Sequence, residues 1–149
     1  MILKEVALTN NDLIGLVEEL DLFFDKLWGV SATQYQSFHQ LSKMAYAVVC
    51  YDKDLPVGCG CFKIIDEQTI EIKRMYVKEE YRCLGIASMI ISQLENEAIY
   101  RNFKISTLQT GKDMQDSISF YKKMGYYLVD NYGVFLDDEL CVCMKKDLL

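Results

Sequence analysis

This sequence predicts an α+β domain built on a mixed, mostly antiparallel central sheet of six to seven strands. Three observations carry that reading. Three β-like stretches follow one another across short turns between residues 45 and 77, which is a meander. Apolar residues then recur at helical spacing from Leu84 to Ala98. A further strand-like stretch, residues 103–108, comes after that helix, so the connection crosses over and one strand pair is parallel.

The elements follow in order. Residues 2–8 alternate loosely and read as an edge strand. Leu13, Leu16, Val17, Leu20, Phe23, Phe24 and Leu27 recur every three or four positions, the stripe of an amphipathic helix, and residues 9–12 offer several N-caps before it. Trp28 and Gly29 end that helix. Residues 31–41 read as a second, shorter helix capped by Ser31 or Thr33. Residues 45–51 and 57–65 are strand-like, and the turn 52–56 between them holds the one proline. Residues 66–68 turn again into Thr69–Val77, the third strand. Residues 78–82 form a loop. From Leu84 onward Ala87, Ile90, Ile91, Leu94 and Ala98 mark the apolar face of a helix, with Ser92, Gln93, Glu95, Asn96 and Glu97 mostly on the other. Residues 110–115 form a loop, 117–124 a short helix stopped by Gly125, and 126–129 a strand. A loop at 130–138, rich in aromatic and acidic residues, leads to a last strand at 139–145.

The third strand is irregular. Ile70 and Ile72 share one face, yet Met75 and Val77 have the opposite parity. Either a β-bulge at residues 73–75 or burial on both faces accounts for the switch. A bulge would leave backbone N–H groups unpaired and splay the strand from its neighbour.

Composition narrows the function classes. Hydrophobic residues make up 51% and charged residues 26% of 149 residues, with mean hydropathy +0.03, the profile of a soluble globular chain forming one domain over 1–149. No apolar run reaches the roughly 18 residues of a membrane span, and the N-terminal stretch lacks the order of a signal peptide. The expectation is a cytoplasmic protein with no membrane partner. A net charge of −6 repels phosphate backbones, which excludes nucleic acid as a partner, and favours cationic small molecules only as a weak long-range bias. The six cysteines read as reduced, buried thiols. Cys59/Cys61 and Cys141/Cys143 each face one side of a strand; their spacing is narrower than zinc ligands usually show, so no metal is expected.

Residues 73–90 join strand to helix through Arg82, Gly85 and Ala87. The first turn of a helix presents unpartnered N–H groups and the positive end of the macrodipole, a receptor for phosphate. Gly85 lets a ligand approach the backbone, Ala87 keeps the turn small, and Arg82 adds charge. G-x-G-x-x-G and the P-loop pattern are both absent. The run from Arg82 to Ala87 resembles the pyrophosphate loop of the GNAT superfamily of acetyl-CoA-dependent N-acyltransferases, (Arg or Gln)-x-x-Gly-x-(Gly or Ala). "EIKRMYV" is similar to that family's bulged strand, and "SISFYKKMGY" to its second motif of short helix, tyrosine, glycine and aromatic. The likeness covers residues 45–145, with Cys83 standing where glycine is common.

The resemblance implies a three-layer fold with helices on both faces of the sheet, and acetyl-CoA as cosubstrate. It places the pantetheine arm on the backbone of Met75, Tyr76 and Val77. The diphosphate falls on Arg82, Cys83, Leu84, Gly85, Ile86, Ala87 and Ser88. The thioester comes at the splay beside residues 103–108. Unpaired bulge amides suit pantetheine amides and a developing oxyanion. An amine acceptor with a lysine-like pKa of about 10.4 costs about 4.6 kcal/mol to deprotonate at pH 7, so a base is needed. Glu71 matches the family's carboxylate base, acting directly or through water; His39, the one histidine, is a second candidate. Tyr121 matches the family's tyrosine and would protonate or hydrogen-bond the departing sulfur. The implied function is acetyl transfer to a primary amine of a small molecule, amino acid or peptide by direct attack in a ternary complex. Two alternatives stand beside it: a catalytically idle acyl-CoA sensor, and a structural module binding a partner through an exposed edge or its aromatic loop. That loop (Tyr126, Tyr127, Tyr132, Phe135) lines the acceptor pocket or a homodimer interface, and sequence leaves both open.

Overall fold

The computed structural model describes residues 1–28, 40–133 and 136–148. Seven strands form one sheet: β1 (Ile2–Glu5), β2 (Tyr46–Asp52), β3 (Leu55–Ile64), β4 (Thr69–Val77), β5 (Ile105–Gly111), β6 (Tyr127–Val129) and β7 (Cys141–Asp147). Their order across the sheet is β1-β2-β3-β4-β5-β7-β6. All neighbours are antiparallel except β4 and β5, the pair joined by the crossover helix.

Helices cover both faces. On α1 (Asn11–Trp28), Leu13, Leu16 and Val17 pack against Ala47, Val49, Cys59 and Cys61. On the opposite face α2 (Ile86–Tyr100) buries Ile86, Ile90, Ile91, Leu94 and Ala98 against Val48, Phe62, Ile70 and Ile72. Each buried aliphatic chain there contributes about 1.5–3 kcal/mol gross, which fixes where the helix begins. The short α3 (Gln115–Lys123) joins the same core through Ile118 and Tyr121.

The helix ends follow from local chemistry. Asn10 caps α1: its side-chain Oδ1 accepts from Leu13 N at 3.0 Å, and its carbonyl accepts from Ile14 N. Gly125 closes α3 at φ 96°, with Gly125 N bonded to Lys122 O and Tyr126 N to Tyr121 O, the paired bonds of a Schellman motif. Asn102 ends α2 by the same device at φ 72°.

Several expected boundaries shift. The β2–β3 turn is only Lys53 and Asp54, so Pro56 belongs to β3, where it pairs with Tyr51. Strand β5 runs on to Gly111 because Gln109 and Thr110 pair with Cys143 and Val142. Glu95, expected on the polar face of α2, is buried: Tyr126 donates to it at 2.9 Å and Lys146 pairs with it at 2.9 Å. The helix expected over 31–41 lies outside the described residues apart from 40 and 41, and Leu41 opens a single 3-10 turn, Leu41–Lys43. Cys59/Cys61 and Cys141/Cys143 pack in separate apolar clusters.

Candidate active site

Strand β4 carries a bulge. Its pairing with β3 runs Cys61↔Lys73 and then Cys59↔Tyr76, so Arg74 and Met75 together oppose Gly60. Arg74 is the residue that bends, held at φ 59° in the left-handed region. Gly60 must lack a side chain: a Cβ there would meet Ile90 Cγ2 and Met75 Sδ, each at 2.6 Å. Past the bulge Met75 and Val77 join Ile70 and Ile72 on the α2 face, the parity switch that the sequence showed. Residues 70–74 are also buried on both faces, so the two alternative readings hold together.

The parallel seam opens as β4 bends. Strands β4 and β5 pair only from Thr69↔Ile105 to Glu71↔Thr107. Beyond that point β4 follows β3 and β5 follows β7, and a cleft of about 90 Å³ lies between Ile72–Met75 on one side and Leu108–Gly111 on the other. Leu20 and Phe24 of α1 close it on one face, and Tyr121 of α3 on the other.

At the end of β4 the chain makes a 3-10 turn, Glu79–Tyr81, and enters α2. Gly85 is the N-cap, at φ 81° with open space where a Cβ would stand, and no side chain caps the helix. The first helical bond is Met89 N to Gly85 O. From Cys83 to Ser88 no backbone N–H has an acceptor among the described residues. Such a row of open amides at a helix start suits a diphosphate. Cys83 is exposed and takes φ 63°, so it adopts the conformation that glycine would supply. Arg82 spends its Nε on Val77 O at 3.0 Å, and its guanidinium lies over the Phe23 ring, which leans it toward α1.

Two expected catalytic residues lie on opposite faces of the sheet. Tyr121 lines the cleft with 8% of its surface exposed and makes no hydrogen bond among the described residues; burial pushes its phenol up, so it stays protonated. Glu71 is 2% exposed and stands behind the cleft wall rather than in it. With the bulge present it faces away from Met75, toward α1. Its carboxylate accepts from Tyr132 Oη at 2.6 Å and pairs with Lys73 Nζ at 3.3 Å. Lys73 does line the cleft; burial pulls its pKa down and Glu71 opposes that. His39 and Phe135 lie outside the described residues. Tyr126 is a core residue, bonded to Ser106 at 2.7 Å as well as to Glu95, and Tyr127 is exposed.

The sequence reading missed Lys73 and Arg74, and it named Tyr132 in the aromatic loop without its bond to Glu71. Two consecutive cations inside a strand, between Ile72 and Met75, were the available signal for the first two. Nothing in the local sequence ties Tyr132 to Glu71.

A cleft at the single parallel seam of a mixed seven-stranded sheet, continued by an uncapped helix start, defines the acyl-CoA N-acyltransferase class. The acetyltransferase (GNAT) family model matches residues 13–126. The IAA acetyltransferase of Azospirillum brasilense is 28% identical over 137 residues, spanning 91% of this chain and 90% of that protein. The fold superposes with a TM-score of 0.77 on PaiA N-acetyltransferase from Thermoplasma acidophilum in complex with coenzyme A, at 18% identity over 99% of each chain. It superposes at 0.76 on aminoglycoside 6'-acetyltransferase type Ii, at 23% identity over 100% of this chain and 98% of that one. The chain belongs to the GNAT acetyltransferase family and is an acyl-CoA-dependent acetyltransferase. Among the described residues, no helix is long and apolar enough to cross a membrane.

Proposed function

We propose that this chain, as one domain, transfers the acetyl group of acetyl-CoA to a primary amine by direct attack in a ternary complex. The observation that carries the proposal is a pair of open backbone stretches on either side of one turn. Two stretches are open: the edge of β4 toward β5, which has no strand partner past Glu71 and so is free along Met75–Val77 except where Val77 O takes Arg82, and the six open amides at Cys83–Ser88 that follow the intervening turn. The first stretch takes the pantetheine arm as an added strand, and the second takes the diphosphate with Arg82 at its rim. The thioester then falls in the cleft, where an amide at the bulge stabilises the oxyanion that forms as the amine attacks.

Tyr121 serves the departing sulfur. A thiol of pKa about 8.5 is a better acid than a phenol raised above its usual 10, so full proton transfer to the thiolate is uphill. Tyr121 therefore acts by holding a hydrogen bond to the developing thiolate, and the proton arrives afterwards. The amine's own proton passes to water in the cleft; Lys73 stands between the cleft and Glu71, whose two oxygens are held by Lys73 and Tyr132, so Glu71 acts by setting the charge of Lys73. Acetyl-CoA with a panel of primary amines, scored by thiol release and by mass of the product, tests the proposal. Acetylation of no amine, by a protein that still binds coenzyme A in a calorimeter, would leave an acyl-CoA sensor in its place.

A further inference from the structure

We infer that the amine acceptor also carries a carboxylate, and that Arg74 binds it; this rests on the acyl-transfer reading above and names the substrate class of the same site. The protein is acidic overall at −6, yet the cleft is not. Among the described residues that line it, Lys73 and Arg74 carry formal charge and no aspartate or glutamate does, while Glu71 and Asp21 pair with them from outside it. Arg74 is 6% exposed. Its Nη2 bonds Asp21 at 2.5 Å and Val17 O at 3.4 Å, which directs the guanidinium to the α1 face. Its Nε is buried with no hydrogen-bond partner.

An unmade bond on a buried guanidinium is costly, so the native use of the site supplies an acceptor oxygen. Asp21 already pairs the Nη2 end, so the open position is the Nε–H, and a carboxylate oxygen is the strongest acceptor for it. The cosubstrate's anionic part is accounted for elsewhere, at the open amides of Cys83–Ser88 beyond the end of β4. Leu20 and Phe24 stand on the same face as the orphaned donor and give the acceptor's carbon body an apolar wall. The class is an amino acid with an apolar or aromatic body, or an ω-amino acid of similar length.

The test compares probes that differ only in that carboxylate. Phenylalanine, leucine and ω-amino acids of increasing length are set against their methyl esters and against phenethylamine, with kcat/KM corrected for the fraction of neutral amine. The expected result is a roughly 10- to 100-fold preference for an acid over its neutral counterpart, the worth of one charge-assisted bond. Arg74→Gln should erase that preference, lowering kcat/KM for the acids at least about tenfold more than for the neutral amines, and Arg74→Lys should recover part of it. A second readout needs no turnover: 3-phenylpropionate, which has the carboxylate but no amine, should bind the wild-type protein saturated with coenzyme A and fail to bind Arg74→Gln. Equal use of acids and esters, or no binding of 3-phenylpropionate, overturns the inference. So does an equal loss with every amine on Arg74→Gln, which would assign Nε to the thioester oxyanion. If phenylpropionate binds through Arg74 but no amine is acetylated, the acyl-transfer reading fails and the carboxylate site stands.

Discussion

Tyr132 donates a 2.6 Å hydrogen bond to Glu71, and the two residues are separated by 61 positions in the chain. The contact fastens the loop after β6 onto the strand that opens the cleft. It also holds one carboxylate oxygen while Lys73 holds the other, so Glu71 is fixed on both sides. Both members of the ion pair are almost wholly buried, and neither can lose its partner to solvent.

Glu71→Gln should therefore destabilise the protein by about 3 kcal/mol, because it removes the carboxylate that faces a buried ammonium. Burial already pulls the Lys73 pKa below its ordinary 10.5 and Glu71 opposes that pull. A lysine with a depressed folded pKa weighs against the native state while it is charged. That penalty fades as pH rises from the lowered value toward 10.5. The gap between Glu71→Gln and wild type should accordingly be wider at pH 6 than at pH 9. Urea melts at both values check this, and Glu71→Gln/Lys73→Met should recover most of the loss. A gap that does not change with pH, or a double variant no better than the single one, would show that the pair is not coupled as described.

Tyr121→Phe removes a hydroxyl that no other described residue bonds. The ring keeps its edge contacts with Phe120 and Tyr126, so stability should change by less than about 1 kcal/mol. The expected kinetic effect is a fall in kcat of roughly 10²-fold with the acetyl-CoA KM unaltered. Because the phenol stays protonated well past neutrality, the basic limb of the pH–rate profile should be unmoved by the substitution. Unchanged kcat in steady-state turnover would remove Tyr121 from the chemistry.

Much of this site was legible before any fold was seen, and the reason is that it is made mainly of backbone. The bulge announced itself when the parity of Ile70 and Ile72 failed to continue to Met75 and Val77. The uncapped helix start with its open amides was marked by Gly85 after a strand and before a helical stripe. Side chains brought together by topology left no such mark. Tyr132 meets Glu71 only because β7 lies beside β5 in the sheet, and Glu95 is buried only because Lys146 and Tyr126 converge on it from two later strands. Periodicity reports which face a residue takes within its own element, and it is silent on which distant residue arrives there. Arg74 fell between the two cases: its position in a bulge was readable, its reach to Asp21 was not.

Two glycines separate binding from folding. At Gly85 an added side chain meets no protein atom, but φ 81° strains it by about 1–2 kcal/mol and the branches of valine would fill the cradle. Gly85→Val should weaken coenzyme A binding at least about 100-fold, more than the strain alone explains, with a modest loss in melting temperature. At Gly60 the clash is with Ile90 and Met75 at 2.6 Å, inside the core, so Gly60→Ala should cost about 1–3 kcal/mol of stability. Calorimetry with coenzyme A and thermal melts on both variants check the contrast. Normal affinity in Gly85→Val would refute the cradle.

Tyr51 links the hairpin to α1, donating to Asp12 at 2.6 Å in the first turn of the helix that carries Leu20 and Phe24 to the cleft and Asp21 to Arg74. Burial first, and then the Asp12 carboxylate, push its phenol up to about 12. A group whose folded pKa is raised above its unfolded value of about 10 stabilises the native state fully below pH 10 and ceases to do so as pH climbs through 12. Tyr51→Phe should thus lower stability by about 1 kcal/mol at neutral pH, the worth of one hydrogen bond, and the deficit should shrink to nothing between about pH 10 and 12. Urea midpoints of wild type and variant measured across that range would converge. Parallel curves would mean that the Tyr51 hydroxyl is not held by Asp12 in solution and that α1 is anchored by its apolar face alone.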